Sequence, residues 1–451
     1  MKKYDKYKQA EEAIWYDSIP ISWTSTKMRE VFSERREKVS DKDYPPLSVG
    51  KMGVVPQLDT AVKTDNGDNR KLIKKGDFAI NSRSDRKGSG GMSNYDGSAS
   101  LIITVLKPHH ELNVNFYHYL LRNHYFSEEF YRNGKGLVSD LWTTKWEEMR
   151  NIYIPIPPRD EQNQIVRYLD WQVSKINHLI HGYQKQINLL DERKTTVINQ
   201  AVTHGIHADV EMQAVEANWV EEIPAHWQFN KVKQHFEIKK RIAGKEGYDV
   251  ISITQQGLKV KDIASNEGQM AANYSKYQFV YPGDYAMNHM DLLTGFIGLS
   301  DIFGVTSPDY RVFSAIDVER TDLKYFLYVF QLGYKRKIFY GLGRGAANKG
   351  RWRMPAINFK NYDIPVPPIE EQREIVEYIE QETEKIDLLK REVEKQIEYL
   401  REYRTRLISD VVTGQIDVRD VVIPEYTPED DTEIDTDNAG GDAEEVAEDV
   451  E

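Results

Sequence analysis

The 451-residue chain contains no cysteine, which excludes disulfides and cysteine-ligated zinc and makes a reducing compartment the natural setting. No stretch approaches the roughly 18 apolar residues of a membrane span. Met1-Lys2-Lys3-Tyr4-Asp5 leads into no apolar segment of the signal-peptide kind. These absences predict a soluble cytoplasmic protein. Catalytic motifs are missing too. Gly341-Leu342-Gly343-Arg344-Gly345 lacks the lysine-hydroxyl pair of a phosphate-binding loop, and His109-His110-Glu111 lacks the second histidine of a His-Glu-x-x-His zinc site. The Pro-Pro pairs, Pro45-Pro46-Leu47, Pro157-Pro158-Arg159 and Pro367-Pro368-Ile369, lack the Asn/Asp-Pro-Pro-aromatic pattern with which amino-methylating enzymes hold a base. No nucleophile, base and orienting group fall together. The balance favours binding over catalysis.

The net charge of −12 is unevenly spread. Thirteen Asp and Glu and no Lys or Arg lie in residues 425–451, so the remaining chain is almost neutral. Acidic and poor in apolar residues, this tail is expected to be disordered and solubilising. A role as a DNA mimic is the alternative.

What the chain has is duplication. Ile154-Pro155-Ile156-Pro157-Pro158 with Glu161-Gln162 recurs as Ile364-Pro365-Val366-Pro367-Pro368 with Glu371-Gln372. Trp15, Ile19-Pro20 and Trp23 recur at the same spacing as Trp219, Ile223-Pro224 and Trp227. Ile-Pro favours an extended lead-in segment, because the residue before proline is pushed out of the helical region. The tryptophans are expected to clamp that segment onto the core. Further in, Gly76-Asp77, Asn81, Gly88, Gly91, Ser93, Gly97 and Ser100 reappear as Gly283-Asp284, Asn288, Gly295, Gly298, Ser300, Gly304 and Ser307, each offset by 207. Short β-type runs surround this glycine frame, such as Phe78-Ala79-Ile80, Tyr285-Ala286-Met287 and Leu101 to Val105. Phe116 to Leu121 and Leu323 to Phe330 read as helices.

Two longer helices are written in 3/4 spacing. Ile165, Leu169, Val173, Ile176, Ile180, Tyr183, Ile187, Leu190, Val197 and Ala201 form one stripe. Ile375, Ile379, Thr383, Ile386, Val393, Ile397, Leu400, Leu407 and Val411 form the other. Pro158 and Pro368 suit the first turn, Glu161, Glu370 and Glu371 suit the positive helix start, and Gly205 and Gly414 mark the ends. About 45 residues make a rod of roughly 65 Å. Each stripe needs a partner, and antiparallel pairing of the two would place a domain at each end of the rod. The expected fold class is α+β: two pseudo-repeated mixed α/β domains separated by two long helices forming an antiparallel coiled coil. The expected divisions are a first domain 1–157, a central helix 158–206, a linker 207–217, a second domain 218–367, a C-terminal helix 368–414 and an acidic disordered tail 415–451.

The lead-in motif Glu216-Ala217-Asn218-Trp219-Val220-Glu221-Glu222-Ile223-Pro224-Ala225-His226-Trp227, its shorter Trp15 to Trp23 version, and the Ile-Pro-x-Pro-Pro junctions with Glu-Gln resemble the specificity (S) subunit of type I restriction-modification systems. The resemblance runs from about Lys6 to Asp417; the acidic tail departs from the family's short ending. It implies that each domain is a target recognition domain reading one half of a split double-stranded DNA site, with the coiled coil fixing the unspecified gap. It also implies docking of methyltransferase (M) subunits, two in number, that methylate adenine at N6. Restriction (R) subunits, up to two, join through them, and there is no membrane partner. The chain itself is expected to bind no cofactor or metal; S-adenosylmethionine, ATP and magnesium belong to the partners.

DNA binding needs cations for phosphates and planar donors for base edges. In the first domain the candidates are Arg83, Arg86 and Lys87 before Gly88, then Arg132 and Lys135 around Gly134 and Gly136. In the second they are Lys335, Arg336, Lys337, Arg344, Asn348, Lys349, Arg351 and Arg353, a stretch with seven cations plus Tyr340 and Trp352. The glycines would let backbone approach phosphate. Gln255-Gln256 and Asn288-His289 are further base-reading candidates, although Asn288 matches Asn81 and has an equal claim to a structural role. A solvated basic surface is the competing reading. Shared residues should build the frame and differing ones should read two different half-sites, so the target is asymmetric. Two other functions remain open: a standalone DNA-binding coiled-coil protein without a methyltransferase partner, and an enzyme with an unrecognised site.

Overall fold

Apolar 3/4 periodicity yields two uninterrupted helices, Arg159–His204 and Ile369–Val412. The computed structural model describes residues 2–58, 67–83, 88–136, 142–255, 257–262, 273–345 and 352–428. The chain forms two compact units, Met1–Lys185 with Val393–Glu451, and Gln186–Glu392. Each unit thus holds one α+β domain, half of one long helix and half of the other. No helix among the described residues is long and apolar enough to cross a membrane.

In the first unit a four-stranded antiparallel sheet has the order Gly90–Met92, Phe78–Asn81, Ile103–Pro108, Phe32–Glu34. A second sheet pairs Gly97–Ala99, Arg70–Ile73 and Lys38–Val39, and Leu47–Gly50 forms a hairpin with Gly53–Pro56. Helices Val114–Arg122 and His124–Arg132 follow. Strand Tyr153–Ile156 returns to pair with Thr24–Lys27 before the long helix begins. The core gathers Phe32, Phe78, Phe116 and Phe126 with Trp23 and Leu169. Leu101 and Ile102, expected in a strand, lie in an exposed turn instead, because Ile103 N–H bonds back to the Ser100 carbonyl at 3.1 Å.

The second unit repeats this topology. Its sheet runs Ile297–Leu299, Tyr285–Met287, Arg311–Ala315, Phe236–Lys239, with Gln278–Val280 pairing Gly304–Thr306 and a hairpin of Ile251–Thr254 with Gly257–Val260. Helix Leu323–Lys335 packs on it, and Asp363–Val366 returns to Gln228–Lys231. The core is aromatic: Phe236, Tyr285, Phe313, Phe326 and Phe330 meet mostly edge to face.

The shared frame has a structural cause in both units. Gly76 and Gly283 sit at φ 87° and 89°, where a side chain would be strained, and turn the chain into the central strand. The next residue holds an arginine: Arg35 donates to both Asp77 oxygens at 2.7 and 3.0 Å, and Arg241 to Asp284 at 2.5 Å. Asn81 accepts from Arg83 N–H and Asn288 from Met290 N–H, at 3.0 and 3.2 Å. The two asparagines therefore shape turns, as the match between them suggested.

The junction motif is equally physical. Pro158 and Pro368 carbonyls accept the first helical bonds from Gln162 and Gln372, so the prolines cap the helices and do not occupy the first turn. The same glutamine side chains reach back to Pro157 and Pro367 carbonyls, each at 2.9 Å. Glu161, buried, accepts from Trp23 Nε1 at 3.0 Å and from the Tyr4 hydroxyl. Burial first, then this carboxylate, hold the Tyr4 phenol well above its ordinary pKa, so it remains a donor. At the other ends Gly205 and Gly414 adopt φ 77° and 73°. Gly414 N–H bonds to Val411 and Gln415 N–H to Asp410, the paired bonds of a Schellman cap; Gly205 N–H makes the single bond to Ala201.

Pairing of the long helices is antiparallel within each unit taken separately. In the first, Glu161 lies beside Trp23, which borders Gly414, and Asn177 meets Arg404 at 2.9 Å. In the second, Glu371 borders Gly205, while Lys194 meets Asp387 at 2.7 Å and Lys390 meets Asp191 at 2.8 Å. Ile176, Ile386 and Ile397 are buried in the seam; Ile187 is half-buried. Ile198 is buried where Val197 was expected, because the helix end also packs into the domain core with Trp219 and Ile223.

Two segments differ from their expected character. Within 207–217, Met212–Ala214 is a strand paired with Glu222–Pro224, matching Tyr7–Gln9 with Ser18–Pro20. Beyond Gly414 the chain stays packed to Val418, which is fully buried, and is then held by backbone contacts while its side chains are mostly exposed: Gln164 Nε2 donates to Val418 and Val421 carbonyls, and Ser174 donates to the Thr427 carbonyl. Apolar Ile416 and Val418 and the Arg419 guanidinium over the Tyr4 ring dock what acidic composition alone made look disordered. Residues 429–451 lie outside the described residues.

Candidate nucleic-acid interface

The central strand of each sheet ends in a loop, and a second loop is stitched to its root. In the first unit Thr144 N–H bonds to the Ser82 carbonyl at 2.9 Å. Thr143 is flanked by Lys135 on one side and Arg83 on the other. In the second unit Met354 N–H bonds to the His289 carbonyl at 3.0 Å, and Arg344 and Arg353 exchange backbone bonds of 2.8 and 3.2 Å. The described residues flanking 84–87 and 137–141 therefore share a root, as do loop 290–295 and the residues flanking 346–351.

Of the candidate cations, the fold brings Arg83 together with Lys135, and Arg344 with Arg353. Arg83, Arg344 and Arg353 are exposed, and among the described residues no carboxylate pairs with Arg344 or Arg353. Lys135 keeps most of its side chain in solvent, its ammonium 3.4 Å from the Glu148 carboxylate. Like charges placed directly opposite destabilise the free pair and favour an anion between them. At this root Arg311 and Arg353 face His289, whose pKa is lowered to about 4 by burial first and then by these two guanidiniums.

Four candidates point elsewhere. Arg132 is held on its own helix by a two-bond pair with Glu129 at 2.7 and 2.8 Å. Arg336 donates to Asn199 of the long helix at 2.7 Å and to the Trp219 carbonyl at 3.3 Å. Lys335 lies beside the same helix: burial, then Lys194, lower its pKa, with Asp191 and Asp387 opposing. Lys337 is exposed but occupies the left-handed turn after helix Leu323–Lys335, at φ 57°. The basic stretch 335–353 is thus split: Lys335 and Arg336 lie beside the long helix, whereas Arg344 and Arg353 stand at the loop root. Arg86, Lys87, Asn348, Lys349, Arg351 and Gln256 lie outside the described residues.

The glycines near these cations have a cause other than phosphate approach. A Cβ at Gly134 would collide with the Trp142 indole, and one at Gly343 with the Trp352 indole. Each indole donates to a backbone carbonyl, Trp142 to Tyr131 at 2.9 Å and Trp352 to Tyr340 at 2.7 Å, and each ring packs on that tyrosine. Sequence reading named Tyr340 and Trp352 only as aromatics in a basic stretch and missed the matching Tyr131 and Trp142. The signal was present, but Tyr131 to Tyr340 is offset by 209 and Trp142 to Trp352 by 210, outside the 207 frame.

Residues 20–189 and 224–399 match the family described as type I restriction modification DNA specificity domain. The sequence is 21% identical to a protein of Methanocaldococcus jannaschii assigned provisionally as the type I restriction enzyme MjaX specificity subunit, covering 92% of this chain and 98% of that one. It is 25% identical to the type I restriction enzyme MjaVIII specificity subunit of the same organism, over 60% of this chain and 64% of the relative. A solved chain from work on complex assembly and conformational transition of the type I R-M system shares the fold, with TM-score 0.60 and 15% identity over 89% of this chain and all of that one.

Proposed function

The chain belongs to the type I restriction modification DNA specificity family, and from that premise we propose how its two units divide the work. It is a DNA sequence-specificity subunit of a type I restriction-modification system. Each unit reads one half of a bipartite, asymmetric double-stranded target through the paired loops rooted at Arg83, Lys135 and Thr143, or at His289, Arg344 and Arg353. Exposed cations at the roots take phosphates, and loop side chains take base edges. The observation that carries this reading is a common root bearing unlike loops: Gly-Leu-Val-Ser-Asp-Leu-Trp in one unit, Gly-Ala-Ala-Asn-Lys-Gly-Arg-Trp in the other.

The antiparallel helices set the gap and dock methyltransferase subunits. Exposed Leu179 and Tyr399 in the first unit, and Leu189, Leu388 and Leu389 in the second, offer apolar surface for helices of such a partner. Adenine N6 methylation, with its S-adenosylmethionine, and cleavage, with its ATP and magnesium, reside on the methyltransferase and restriction partners; this chain contributes no chemistry of its own. The assembly works in the cytoplasm, where its DNA is. A long-read map of adenine methylation, with and without this chain beside its methyltransferase partner, tests the reading. A split motif that appears only when the chain is present supports it. Chain-independent methylation, or none with both proteins soluble, favours a standalone DNA-binding protein.

A further inference from the structure

The geometry points to Trp142 with Gly134, and Trp352 with Gly343, as positioning residues that set half-site specificity, each pair acting on one half only. This inference rests on the half-site reading above. Each pair closes the base of a loop whose sequence differs completely between the units. The stem is held from three directions. Lys135 and Thr143 exchange bonds of 2.9 and 3.0 Å, as Arg344 and Arg353 do at 2.8 and 3.2 Å. The indole ties the returning strand to the preceding helix through the Tyr131 or Tyr340 carbonyl. The residue two beyond the tryptophan ties it to the sheet: Thr144 through Ser82, and Met354 through His289.

The two units reach this arrangement with different supporting groups. Thr144 Oγ1 donates to the Phe130 carbonyl at 2.9 Å in one. In the other, Arg311 Nη2 donates to the Met354 carbonyl at 2.7 Å and Asn358 to the Leu342 carbonyl at 2.8 Å. What stays the same is Tyr, Gly and Trp. Glycine is required because the Nε1–Cδ1 edge of the indole occupies the space a Cβ would take, so any side chain displaces the ring and loosens the stem. Base readout needs donors held to within about half an ångström, so a loosened stem blurs the loop's discrimination without removing a single base-reading side chain. None of the four residues presents a charge, so a purely electrostatic footing on phosphate would not need them.

The test is the adenine-methylation map of the full complex carrying Trp142→Phe, Trp352→Phe, Gly134→Ala or Gly343→Ala. The phenylalanine variants keep one aromatic ring and remove the indole donor together with the pyrrole edge that packs on the glycine; thermal melting of each purified chain, recorded beside the map, separates a failure to fold from a change of specificity. With Trp352→Phe or Gly343→Ala, about tenfold or more discrimination should be lost in one half of the motif, the low end of what a two-bond base contact supplies, while the other half stays unchanged. Trp142→Phe and Gly134→Ala should blur the opposite half. An unaltered motif in all four variants overturns the inference, and so does equal blurring of both halves by any one folded variant. Failure of the half-site reading itself would look different, because the unsubstituted chain would then direct no split motif.

Discussion

The two units use one frame at different depths. Arg35 and Asp77 in the first are both buried and share two hydrogen bonds, whereas Arg241, at the same place in the second, leaves about a third of its side chain (32%) in solvent and makes one bond to Asp284 while stacking over Tyr281. The lesson is that duplication preserved the position of the ion pair and not its energetic weight. Asp77→Ala strands a buried guanidinium and should cost about 3–5 kcal/mol, toward the lower end because Glu37 stays at 3.1 Å. Asp284→Ala leaves Arg241 free to reach water and should cost about 1–2 kcal/mol. Urea unfolding of the full chain measures both, and equal losses would break the comparison.

The helix starts sharpen it at smaller scale. Glu161 satisfies two buried donors, Trp23 and Tyr4, whereas Glu371 takes one bond from half-exposed His226 at 2.8 Å, and among the described residues the Trp227 indole finds no partner. Glu161→Ala should therefore cost about 2–4 kcal/mol, since each orphaned buried donor costs about 1–3. Glu371→Ala should cost about 1 kcal/mol. Equal shifts in melting temperature would mean that the second glutamate has a role these bonds do not account for.

Much of this was legible in the sequence because it rests on backbone chemistry. Gly76, Gly283, Gly205 and Gly414 mark left-handed turns, and the Pro-Pro-x-x-Glu-Gln junction marks a helix start, wherever they occur. The antiparallel coil followed from two unsatisfied stripes. Direction was not legible. Lys335 and Arg336 belong to a basic run by composition, yet helix Leu323–Lys335 ends with them against the long helix. A charge count does not know which face a helix turn presents. The Tyr-Gly-Trp root was hidden by a slip of two or three residues between repeats. The docking of Ile416 and Val418 was hidden by the acids that follow them.

The smallest contrast between the units is in their response to acid, where one lowered histidine in each should behave alike. His118 in the first unit is half-buried beside Gly91 and accepts from Arg122 at 2.7 Å; desolvation first, then that guanidinium, lower its pKa to about 3. His289 in the second faces Arg311 and Arg353 and is lowered to about 4. Both are neutral when folded, and both regain an ordinary pKa near 6.5 on unfolding. Below that value the unfolded chain binds protons that the folded chain refuses, so the stability they confer is complete above pH 6.5 and drains as pH falls. Between pH 6 and 5 both histidines lie above their folded pKa values and should contribute alike, about one proton each to the slope of stability against pH. His118→Gln and His289→Gln should flatten that slope equally there. Below about pH 5 each single variant should keep losing stability until its remaining histidine takes up its proton. Urea midpoints across pH 7.5 to 3.5 read this directly, and a slope unchanged by either substitution would show that these histidines are protonated in the folded chain.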